Sequence, residues 1–129
     1  MSDILGHVMA QPLFDTHEHQ EGFGAIERNK GKLDYREICG YLSHDLVTAG
    51  RKASNESTDE EFWSGWSHVR TTGYGQATEL TSRALFDLGF TRENASRITD
   101  GVRALTANRT GRQIYEHLFS RAGIRWAGR

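Results

Sequence analysis

The sequence predicts a mostly α-helical chain: one short N-terminal strand, then a bundle of about five helices, then the first residues of a second strand. Three observations carry that prediction. Apolar residues recur at three- and four-residue spacing through residues 33–123, the period that gathers them on one helix face. Asp34 with Glu37, Thr58 with Glu61 and Thr110 with Gln113 have the spacing of a helix capping box. Gly50, Gly89 and Gly123 close three of the resulting stripes, where a residue free to take positive φ ends a helix. On these grounds the chain divides into residues 1–32, 33–123 and 124–129.

Residues 1–10 read as a loose lead-in. The apolar run Pro12-Leu13-Phe14 reads as a buried strand and leads into Asp15-Thr16-His17-Glu18-His19. Alternate side chains of an extended strand share a face, so His17 and His19 are expected to point the same way, with Asp15 beside them. Two neutral imidazoles at that spacing suit one divalent ion, although a catalytic site usually takes about three protein ligands. His-x-His pairs also arise by chance at exposed strand ends, where they bind nothing. Asp15 either hydrogen-bonds a ligand imidazole from behind or packs at the strand end. Residues 20–32, rich in Gly and charge, read as a loop that borders the metal or simply connects.

The first helix is expected after Asp34, with Tyr35, Ile38, Leu42 and Leu46 on its stripe. The second follows Thr58 and carries Phe62, Trp63, Trp66 and Val69. Their helical spacing favours core packing over a sugar-stacking surface. The third is expected from about Tyr74 to Leu88 with Ala77, Leu80, Ala84 and Leu85 inward, stopping at Gly89. A fourth starts at Thr91 and aligns Ala95, Ile98, Val102 and Leu105, with Gly101 weakening it by about 1 kcal/mol relative to Ala. The fifth follows Thr110, buries Ile114, Tyr115, Leu118 and Phe119, and ends at Gly123. Ile124-Arg125-Trp126-Ala127 then reads as the beginning of a strand.

Composition excludes several classes. With 16 Lys and Arg against 17 Asp and Glu, the chain has no basic block that would mark a nucleic-acid surface. No apolar run approaches the roughly 20 residues of a membrane span, and residues 1–10 lack the pattern of a signal peptide. The single Cys39 excludes an intramolecular disulfide and reads as a buried, reduced thiol, which points to the cytoplasm. A hydrophobic fraction of 36% is low for a self-sufficient core. His7, His44, His68 and His117 are scattered, without metal-ligand spacing among themselves.

Leu13-Phe14-Asp15-Thr16-His17-Glu18-His19 resembles the first-strand signature of the amidohydrolase superfamily, the metal-dependent TIM-barrel hydrolases. Tyr41-Leu42-Ser43-His44-Asp45-Leu46, Phe62-Trp63-Ser64-Gly65-Trp66, Thr72-Gly73-Tyr74-Gly75 and Arg121-Ala122-Gly123-Ile124 are similar to the helical segment after that strand in the uronate isomerase-like branch. The resemblance implies that the strand is the first of a truncated (β/α)8 barrel, since a complete barrel needs roughly 250 residues. It implies an inserted helical bundle, and His17 and His19 as metal ligands completed by later strands. It also implies a divalent cofactor, Zn²⁺ first, and a small-molecule carboxylate or sugar-acid substrate. Tyr41, His44 and Asp45 become substrate-side candidates. Hydrolysis and isomerisation both stay open, as does homo-oligomerisation, and the chain alone is expected to be inactive. The alternative is a self-contained helical interaction module without catalysis.

Overall fold

The computed structural model describes residues 4–15 and 22–127. Among them the order is α1 (Ile4–Met9), β1 (Leu13–Asp15), α2 (Phe23–Asn29), α3 (Leu42–Thr48), α4 (Asp59–Val69), α5 (Gly73–Phe86), α6 (Ala95–Ala107), α7 (Gly111–Ala122) and β2 (Ile124–Ala127). The chain is mostly helical, as expected. It divides into two compact units: Met1–Lys30 with Asn108–Arg129, and Gly31–Ala107. Contacts thus group α7 with the strands, whereas the sequence pattern groups it with the other helices.

In the first unit, β1 pairs with β2 in parallel, with Leu13 opposite Ile124, Phe14 opposite Trp126 and Asp15 opposite Ala127. Two stretches expected to be irregular are helical, α1 in the lead-in and α2 in the presumed loop. A reason for α2 lies in its partner. The Phe23 ring packs on Tyr115 with centroids 5.6 Å apart, and the Glu27 carboxylate accepts from the Gly111 amide at 2.8 Å. That amide is one of the donors a helix start leaves without an intrahelical partner. A Cβ at Gly111 would overlap the Phe23 carbonyl, so glycine permits the approach. Thr110 and Gln113 form the expected capping box, and Gly123 ends α7 at φ 69°.

The second unit has a core of Tyr35, Cys39, Leu42, Leu46, Phe62, Trp63, Trp66, Val69, Phe90, Ile98 and Val102. The expected first helix is broken in two. Tyr35–Ile38 forms a 3-10 turn, Gly40 takes φ +50°, and α3 starts afterwards. Asp34 does cap, but its side chain accepts from the Arg36 amide rather than that of Glu37, because the Glu37 amide closes the 3-10 turn on the Asp34 carbonyl. In α4, Thr58 and Glu61 form a complete capping box. Phe62, Trp63 and Trp66 are buried, which rules out the sugar-stacking surface considered for them.

The face expected to be inward on α5 is wrong. Gly75, Thr78 and Ser82 are buried, while Leu80 is 66% exposed. Close approach explains the inversion, since a Cβ at Gly75 would overlap the Val69 carbonyl and the Arg70 backbone. Small side chains therefore face the core, and Thr78 returns its hydroxyl to the Tyr74 carbonyl at 2.9 Å. The helix ends at Asp87, in the left-handed region at φ 56°, before the expected Gly89. Gly101 has a comparable role in α6: its missing Cβ would lie 2.6 Å from the Phe86 ring.

Two outcomes follow from this packing. Gly75→Ala meets backbone that cannot move aside and should cost about 3 kcal/mol, whereas Gly101→Ala, opposed by one ring and helped by helix propensity, should cost about 1 kcal/mol. Urea denaturation that finds either variant more stable would contradict the close approach. Glu61 is held down from an ordinary 4.5 to about 2 by the hydrogen bond from Lys52 and the amide of Thr58. A lowered carboxylate value contributes stability above its unfolded value, and that contribution disappears as pH falls through the folded value. Glu61→Gln should therefore melt below the wild type at pH 7, with the difference closing between about pH 4.5 and 2.

Candidate functional site

The sequence-derived site begins where β1 ends. Asp15 is the last residue of β1 and pairs with Ala127, the last residue of β2, so both strands finish at the same edge of the parallel ladder. His17 and His19 follow β1 directly in sequence and lie outside the described residues. Parallel strands cannot be joined by a tight turn and need a crossover, usually helical. Here residues 16–123 supply it.

The remaining candidates, Tyr41, His44 and Asp45, come together at the start of α3. The Tyr41 ring lies 5.7 Å from that of His44 and 5.7 Å from that of Tyr74, in the first turn of α5. Tyr41 and Tyr74 are 47% and 44% exposed, and His44 is exposed as well. Beside them the Thr72 hydroxyl donates to the Asp45 carboxylate. Thr72 also caps α5 by accepting from the Gly75 amide at 3.1 Å. Asp45 thereby ties α3 to the beginning of α5, and Tyr41 and His44 form an aromatic surface with Tyr74. Sequence reasoning missed Thr72 and Tyr74, although both belong to the Thr-Gly-Tyr-Gly stretch it singled out.

A charged cluster of the same unit was also missed. Arg36, its side chain 19% exposed, donates to Asp34 at 3.0 Å and Asp59 at 2.5 Å. Its guanidinium carbon sits 4.8 Å from the Tyr35 ring centre and 5.3 Å from that of Phe62. The Tyr35 hydroxyl donates to Asp59 at 2.9 Å. That bond, with Arg36, holds the Asp59 carboxyl below its ordinary value, while burial and the same bond push the Tyr35 phenol up. Beside the cluster is an open recess of about 350 Å³ lined by Lys32, Asp34, Arg36, Glu37 and the 54–57 loop. Its charges are of both signs, and Arg36 is already engaged by two carboxylates. The geometry makes the cluster an anchor for the 3-10 turn on the start of α4.

Among the described residues no group of three or more His, Cys, Asp or Glu side chains is placed to hold a metal ion. His7 lies near Gln11, and His68 accepts a hydrogen bond from Arg51 at 2.8 Å through Nε2. No described helix is long and apolar enough to cross a membrane. The chain matches no family model, no curated protein and no solved structure.

Cys39 is 3% exposed, and burial, with Asp34 nearby, pushes its thiol up to about 12. Nucleophilic attack requires the thiolate. A disulfide reagent at pH 8 should leave the native thiol unmodified over minutes and titrate one equivalent once the protein is unfolded in guanidinium. Rapid modification of the folded chain would show that Cys39 is accessible.

Proposed function

We propose that the chain is the N-terminal segment of a metal-dependent enzyme of the amidohydrolase superfamily, of the uronate isomerase-like branch. One observation supports this reading above the others. β1 and β2 pair in parallel across a long helical excursion, and the His-x-His pair follows the C-terminal end of the first strand. Parallel sheets are normally covered on both faces and built from several strands. Two strands are therefore read as the beginning of a larger parallel sheet. In barrels of this kind the chemistry gathers at the C-terminal strand ends, which is where His17 and His19 fall in the sequence.

In this reading His17 and His19 supply two imidazoles to a divalent ion, Zn²⁺ first, and later strands complete the shell. Such an ion, when bound, polarises a carbonyl or lowers the pKa of its water. The substrate is a small carboxylate or sugar acid, turned over by hydrolysis or isomerisation. Asp15, at the end of β1, orients a ligand imidazole, and Tyr41 and His44 are carried over from the resemblance as substrate-side groups. The balanced charge argues against nucleic acid as a partner, and a buried reduced thiol fits the cytoplasm.

A second reading rests on the core of residues 31–107, whose aromatic centre is complete within that stretch. It makes the chain a helical interaction module without catalysis. Calorimetric titration with Zn²⁺ separates the two. The first reading expects weak binding by this chain, without turnover, lost in both His17→Ala and His19→Ala, because two imidazoles alone leave the ion short of ligands and charge. Tight stoichiometric binding that survives both substitutions would overturn the ligand assignment, and no binding by the wild type would favour the module.

A further inference from the structure

We draw no further inference here: the strongest candidate, the exposed aromatic patch that Tyr41, His44 and Tyr74 form where α3 and α5 begin, is a surface for which nothing in the structure shows what covers it.

Discussion

Arg36 sets the terms for the helical unit. A guanidinium that is four-fifths removed from solvent must find acceptors, because a buried charge without partners is strongly unfavourable. Asp34 provides one from the same turn, and Asp59 provides the other from the start of α4. The rings of Tyr35 and Phe62 cover the cation from the core side, an attraction that grows as water is excluded. These contacts fix the 3-10 turn relative to α4, at the edge of the aromatic core. Tyr35 lies at 5.2 Å from Trp63 and 6.1 Å from Phe90, so one residue joins the charged cluster to the apolar centre.

The other unit is held by a different device. The beginning of α7 is a meeting point: Thr110 and Gln113 satisfy part of its backbone, and the Glu27 carboxylate satisfies the Gly111 amide from α2. A carboxylate there also faces the positive end of the helix dipole. Lys30 donates to the Arg109 carbonyl just before that helix begins. At its far end α7 passes through left-handed Gly123 directly into β2. On the α7 side, the residues that receive α2 thus belong to the same stretch that supplies the partner strand of β1.

What the sequence made legible was what local chemistry decides. The capping boxes at Thr58 and Thr110 form because their donors and acceptors lie within four residues of one another, and the Phe62, Trp66 and Val69 stripe needs only helical period. Both strands were visible, the first as the apolar run Pro12-Leu13-Phe14 and the second as the stretch Ile124–Ala127, but their parallel pairing was not. Where distant backbone intervenes, the reading fails. Nothing near Gly75, Thr78 and Ser82 announces that the chain at Val69 and Arg70 passes so close that small residues must face inward. Likewise no local rule contains the bond from the Tyr35 amide to the hydroxyl of Thr99, far along the sequence. Of the candidate site, Tyr41, His44 and Asp45 are neighbours along α3, but their meeting with Thr72 and Tyr74 is a tertiary fact that no spacing rule contains. His17 and His19 lie outside the described residues, so their geometry adds nothing to that comparison.

The ladder between residues 13–15 and 124–127 also has a temporal side. During synthesis β1 leaves the ribosome before its partner, and the intervening helices emerge between the two. Long-range pairing of this sort is slow to nucleate, and an open edge invites the wrong neighbour in the interval. Pro12 stands immediately before the strand and has no amide hydrogen to offer such a neighbour. It narrows the hydrogen-bonding template at the strand's entry without interrupting the three residues that must later be matched.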